Sequence, residues 1–147
     1  MSGTYSFIDV QATLVGPTGV IELGYGAAVA EEGITIEMAE DKNAMLIGAD
    51  GEGMHSLHAG KSGTITVRLL KTSPTNQKLQ AMYAAQTLSS RLHGQNVIAI
   101  RNSVSGDIVT ARSCAFKRQP TISYAKDGDM MEWSFDALKI DAALGTY

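Results

Sequence analysis

The chain has 147 residues, of which 44% are apolar, with 15 glycines, 3 prolines, one cysteine and a formal net charge of −3. That length suits a single domain, residues 1–147, with a sizeable core. One cysteine excludes an intrachain disulfide, no apolar run approaches the ~20 residues of a membrane helix, and the first residues lack the basic start and apolar stretch of a signal peptide.

In chain order, Tyr5–Leu14 alternates loosely as a strand, Val15-Gly-Pro-Thr-Gly19 turns, and Val20–Leu23 returns. Gly24 to Ala30 is small and irregular. Ile34, Ile36 and Met38 alternate with Thr35 and Glu37, which predicts a half-buried strand; Glu40–Asn43 turns into a returning strand over Ala44–Ile47. Thr64–Leu70 is a strand with Ile65, Val67 and Leu69 on one face. Ser73 as N-cap, Pro74 in the first turn and Gly94 as a stop predict a helix over about 74–93 whose apolar face holds Leu79, Met82, Tyr83, Ala85, Leu88 and Leu92. Strands resume at Asn96–Arg101, Asp107–Phe116 and Thr121–Tyr124. Asp127-Gly128 signals a two-residue hairpin into a last strand from Met131 to about Asp141. In that strand Trp133, Phe135 and Ala137 share one face, whereas Leu138 and Ile140 share the other, a switch that predicts a bulge or burial on both faces. Eight or nine short strands with one inserted helix predict a mainly β domain, a barrel or sandwich with one flanking helix.

Residues 48–63, Gly-Ala-Asp-Gly-Glu-Gly-Met-His-Ser-Leu-His-Ala-Gly-Lys-Ser-Gly, read as a long glycine-rich loop between strands. Its end, Gly60-Lys61-Ser62, matches the tail of a phosphate-binding loop. The full motif requires glycine at the position of His55 and a helix immediately after, whereas a β-branched strand follows. A loop of this length in a compact domain is usually functional, and Met54 and Leu57 in it suit contact with another protein surface.

Charge is strongly segregated. Residues 1–60 hold nine acids and one base, residues 61–126 ten bases and one acid, and residues 127–147 five acids and one base. Either these segments intermix and neutralise each other within the fold, or acidic and basic faces meet between subunits, where charge complementarity sets register and partner choice. The bases form no cluster and have few aromatic neighbours, so nucleic-acid binding is not indicated.

The search for chemistry finds no centre. His55-x-x-His58 with Asp50 and Glu52 nearby lacks an element to fix metal geometry, and Asp41–Glu52 lacks calcium-loop spacing. His93 sits at a helix end. Cys114 in a strand reads as a small buried hydrophobe. Ser56, Ser62 and Ser113 lie in no nucleophile elbow, and Glu31-Glu32 reads as a solvated turn. No enzyme activity, cofactor or metal is expected.

Several stretches are similar to a known family: Gly33-Ile-Thr-Ile-Glu-Met38, Glu40-Asp-Lys-Asn43, Gly48-Ala-Asp-Gly-Glu-Gly-Met-His-Ser-Leu57, Lys71-Thr-Ser-Pro74 and Leu144-Gly-Thr-Tyr147. The block from Gly33 to Pro74 is the specific part. Together they resemble the tail tube proteins of contractile-tailed bacteriophages, related in architecture to type VI secretion and contractile bacteriocin tubes. The resemblance implies a β-barrel or sandwich with a flanking helix and no catalytic residue. It also implies a virion tail protein assembled in the host bacterial cytoplasm. Its subunits form hexameric rings that stack into a DNA conduit, with sheath, baseplate and tail terminator as partners and DNA passing without specific binding. By position the 48–63 loop reaches the adjacent ring, with Asp50, Glu52, Met54, His55, Leu57, His58 and Lys61 as contact candidates. Acidic residues suit a lumen that must not hold phosphate, and Glu37 and Glu40 are the candidates there. Another virion ring protein, a terminator or connector, or a nucleotide binder using Gly60-Lys61-Ser62, are the alternatives.

Overall fold

Alternation in Gly63–Leu70 becomes burial: Ile65, Val67 and Leu69 are fully buried, and Thr64, Thr66 and Arg68 stand half-exposed on the other face. The computed structural model describes residues 3–26 and 29–147; the side chains of residues 29–32, including Glu31 and Glu32, and the Ala27-Ala28 part of the irregular stretch lie outside the described residues. Strand β1 is Val10–Gly16, β2 Gly19–Glu22, β3 Val29–Met38, β4 Asn43–Ile47, β5 Gly53–Leu57, β6 Gly63–Leu70, β7 Asn96–Asn102, β8 Ile108–Phe116 and β9 Met130–Ala143, with the helix α1 at Thr75–Gln86.

Seven strands form one antiparallel sheet in the order β2-β1-β7-β8-β9-β6-β3, and β4 and β5 form a separate two-stranded sheet. Seven strands laid flat span about 29 Å edge to edge, six spacings of about 4.8 Å. The chain allows no such distance. Leu23 and Tyr25 N–H groups continue the ladder to Ala12 and Val10 carbonyls along one edge, and Val29 already pairs with Leu69 at the other. Four peptide steps reach at most about 14 Å, so the sheet curls on itself like a sandwich. It does not close into a barrel, since β2 and β3 are both edges.

Strand β9 is the spine. Its first half pairs with β6, Gly63 opposite Ala137 through Leu70 opposite Met130, and it pairs with β8 from Phe116 opposite Phe135 to Ile108 opposite Ala143. The face switch anticipated at its centre is present: Leu138 and Lys139 are both exposed, Ile140 is buried, and the β7–β8 register shifts at the same level, where Ser113 adopts φ 52°. The core cluster includes Leu14, Leu23, Leu79 and Ile98, and within it the Phe116 ring lies 4.8 Å from Phe135, 5.6 Å from Tyr83 and 6.0 Å from Trp133 between centroids. Trp133 Nε1–H donates to Asn76 Oδ1 at 3.1 Å, anchoring the helix to the spine. Cys114 is buried, as expected, and burial pushes its thiol up to about 11.

Several expectations are corrected. The first strand starts at Val10, because Phe7–Asp9 is a 3-10 turn capped by Ser6 Oγ. The helix spans 75–86, shorter than 74–93. Thr87 caps it, its hydroxyl donating back to the Tyr83 carbonyl, and residues 87–94 form turns, which leaves Leu88 86% exposed. Ser73 Oγ still accepts from Thr75 N–H, one position before the Pro74 cap. Thr121–Tyr124 is not a strand and Asp127-Gly128 is no hairpin turn: residues 117–129 are irregular, because Lys71 Nζ donates to the Ser123 carbonyl and sits 4.0 Å over the Tyr124 ring. The largest correction concerns residues 43–57. Ala44–Ile47 does not return along β3, and residues 48–63 are not a structureless loop. Strands β4 and β5 pair only with each other, as a hairpin standing off the main sheet.

Candidate functional site

The hairpin turn follows from Gly48-Ala-Asp-Gly-Glu52. Gly51, at φ 90°, donates its N–H to the Gly48 carbonyl, Gly48 N–H donates to the Glu52 carbonyl at 2.7 Å, and Asp50 Oδ1 accepts the Glu52 N–H at 3.1 Å. This is a turn followed by a left-handed residue, the usual three-to-five-residue hairpin closure, and Gly supplies the positive φ without steric cost. Asn43 pairs with Leu57, Met45 with His55, Leu46 with Met54 and Ile47 with Gly53. Paired residues share a face. Met45, Ile47 and Leu57 therefore lie on one side of the hairpin and Leu46 and Met54 on the other. All five are exposed, from 57% at Ile47 and Met54 to 86% at Leu57. A two-stranded ribbon apolar on both faces is marginal in water by itself and has apolar surface to offer on each side.

The root is firmly held. Lys42 Nζ donates to the Gly60 carbonyl at 2.8 Å and the His58 carbonyl at 3.2 Å, and His58 N–H donates to the Lys42 carbonyl. Lys61 lends its carbonyl to Ile140 N–H and its ammonium to Asp141 Oδ1 at 3.0 Å. That hydrogen bond and the Lys61 charge, with Arg112 and Lys139 nearby, hold the Asp141 carboxyl below its ordinary range. Of the contact candidates, Asp50 and Glu52 are at the tip, Met54, His55 and Leu57 are on β5, and His58 and Lys61 belong to the root. Ser62 and Gly63 lead into β6, so Gly60-Lys61-Ser62 opens no helix N-terminus and its lysine serves an ion pair. Met45, Leu46 and Ile47 join the exposed surface and were not among the candidates; the Asp50-Gly51 dipeptide between two apolar runs is the signal that finds them.

The lumen candidates separate. Glu37 lies on the exposed face of β3, opposite Thr64, whose hydroxyl donates to Asp136 Oδ1 at 3.3 Å. With Thr35, Thr66, Ser134 and Asp136 it makes a polar face turned away from the core. That face also holds Arg68, donating to Thr35 Oγ1 at 2.9 Å and paired with Glu132. Glu40 follows β3 and its carboxylate closes over Gly60 at the hairpin root, where a side chain would collide with it.

Charge segregation resolves by segment. The ion pairs among the described residues, Lys61–Asp141, Arg68–Glu132 and Arg112–Asp141, all join the basic middle to the acidic last segment. No described acid of residues 1–60 forms one.

A model of the family described as Bacteriophage PhiTE tail tube protein matches residues 1–145. The chain belongs to this family. As a PhiTE-type tail tube family member it is a structural protein of the virion tail and not an enzyme. No curated protein sequence gave a match. Among solved structures, the sheath/tube terminator of the extracellular contractile injection system PVC in its extended state aligns with TM-score 0.62 and 12% identity over 97% of this chain and 98% of that chain. The baseplate of the anti-feeding prophage, 6-fold symmetrised, aligns at 0.59 and 10% over 97% of each chain. The tube-terminating cap of the anti-feeding prophage aligns at 0.55 and 8%, over 99% and 95%. At these identities the likeness is one of fold.

Proposed function

We propose that this tail tube family member is the repeating subunit of the tube itself: copies form hexameric rings, and rings stack into the conduit for DNA inside a contractile sheath. The observation that carries this reading is the hairpin, built on a fixed root, exposed on both faces and apolar on both. Each of Met45, Leu46, Ile47, Met54 and Leu57 returns roughly 1.5–3 kcal/mol on full burial, and only another molecule can bury them. Unlike surfaces joined head to tail generate rings where the rotation closes and filaments where it does not, which fits a chain with a hairpin projecting at one end. The Glu37 face, with its threonines, Asp136 and an Arg68 already paired with Glu132, suits a lumen wall, since carboxylates repel the phosphates that unpaired lysine and arginine would hold. Sheath, baseplate and terminator proteins are the partners this role requires, and assembly takes place in the host bacterial cytoplasm.

Negative-stain electron microscopy of the purified protein tests it. Hollow tubes of constant diameter are expected. Single rings that never stack would support a terminator or connector, and a monodisperse monomer at high concentration would overturn the assembly reading.

A further inference from the structure

The end of the molecule opposite the hairpin carries a pocket of about 350 Å³, lined by Lys71, Arg118, Thr121, Ser123, Asp129 and Met130 among others. The hairpin leaves the sheet where β6 begins at Gly63, and the pocket lies where β6 has ended at Leu70 and β9 starts. Eight strand residues separate the two by about 24 Å along β6. The two ends are complementary. The hairpin tip carries Asp50 and Glu52, and no Lys or Arg occurs between Asn43 and Leu57. At the pocket the acids are already engaged: Asp129 Oδ1 accepts the Met130 N–H, and Glu132 pairs with Arg68. Lys71 is fixed by the Ser123 carbonyl and the Tyr124 ring, whereas the Arg118 side chain is exposed and has no ion-pair or hydrogen-bond partner among the described residues. Beside it the 117–129 segment exposes Ile122 and Tyr124, apolar groups of the kind the hairpin also presents.

We infer that the Lys71–Arg118 pocket is the receptor for the hairpin tip of a second copy of this chain, with Glu52 meeting Arg118 and the Met45–Ile47 face meeting the Ile122–Tyr124 segment. Stacking is then head to tail along β6. This rests on the self-assembly reading and adds to it the identity of the receiving surface. Asp50 is bound into the turn by the Glu52 N–H, so Glu52 is the carboxylate free to engage. Desolvated charge pairs of this kind fix register, and a like-charge replacement opposes docking.

A charge exchange tests it. Arg118→Glu and Glu52→Arg are each expected to cut the pelletable tube mass by tenfold or more at unchanged thermal unfolding. The combined Arg118→Glu/Glu52→Arg protein is expected to recover most of it. A second readout does not depend on charge: a protein carrying Glu52→Cys and Arg118→Cys, assembled and treated with copper phenanthroline as oxidant, should give a ladder of disulfide-linked chains. Tubes that persist undiminished in both single charge variants, a combined variant no better than either, or no ladder from assembled tubes would each overturn the inference while leaving the assembly reading intact. Failure of the unsubstituted protein to assemble would sink both.

Discussion

Strand β6 and the β4–β5 hairpin are both antiparallel strands rich in apolar side chains, yet they serve opposite ends. In β6 the apolar residues alternate, so one face enters the core and the other meets water. In the hairpin they run consecutively, Met45-Leu46-Ile47, and pleating places them on both faces. A strand that alternates is finished by its own fold. A ribbon apolar on both sides, with no layer of the described residues above or below it, calls in the proposed assembly for a neighbour to finish it. On the proposed function, the difference separates residues that hold the subunit from residues that would hold the assembly.

The comparison breaks most visibly if the hairpin is removed. Replacing residues 45–55 by a two-residue turn is expected to abolish tubes under the microscope while thermal unfolding stays nearly unchanged, because loop-closure entropy varies slowly with length; long tubes from the shortened protein would refute the assignment. The converse substitution is Leu69→Ala in β6, or Trp133→Ala beneath it. Loss of about 2–5 kcal/mol is expected in urea unfolding, with tubes of normal form from whatever protein remains folded. Leu46→Ser with Met54→Ser should shift unfolding by no more than about 0.5 kcal/mol and still eliminate assembly. A smaller effect is expected from alkali. The Cys114 thiol titrates near 11 when folded, above its ordinary value, so the unfolded chain ionises first and stability should decline as pH rises through about 9 to 11. Cys114→Ala should flatten that part of the curve, read by denaturant midpoints across pH. Smallest of all, Asp141 is held low by Lys61, so its contribution is present at neutral pH and is lost as pH falls through the folded pKa, below the usual 3.8. Asp141→Asn should lower neutral stability slightly and flatten the acid limb, the two proteins converging at low pH.

Much of this was legible from the chain because local chemistry agreed with tertiary need. The alternation of Ile65, Val67 and Leu69, the Ser73-Pro74 helix start and the Trp133/Phe135 face all persisted. The Asp-Gly dipeptide shows where local reading ends. At Asp127-Gly128 it signals a hairpin, but Phe116 pairs with Phe135, and thirteen residues intervene before β9, held out by Lys71. At Asp50-Gly51 the same dipeptide does close a hairpin, hidden inside a glycine-rich run that reads as a loop. The turn chemistry is identical; the partners that flanking strands find elsewhere decide its use. Strand order was out of reach, since β1 pairs with β7 across some eighty residues of chain and nothing local encodes that. Lys61 was singled out from the sequence, whereas Lys42 was passed over inside a turn and the three consecutive apolar positions of β4 were read as an ordinary returning strand.

A final consequence belongs to the root of the hairpin. In the assembly proposed above, load along the stacking axis would enter the subunit through the hairpin. Force entering at the tip would run along β4 and β5 side by side, so both strands would carry it and no rung of their ladder would be opened singly. It would leave β5 at residues 58–62, which are fastened through the Lys61 carbonyl to Ile140 and through its ammonium to Asp141. Both anchors lie on β9, the one strand that bonds β6 on one flank and β8 on the other. In the proposed assembly the tug of a neighbouring copy would reach the middle of the sheet through this root, while the other root, residues 39–42, passes it to β3 at the edge.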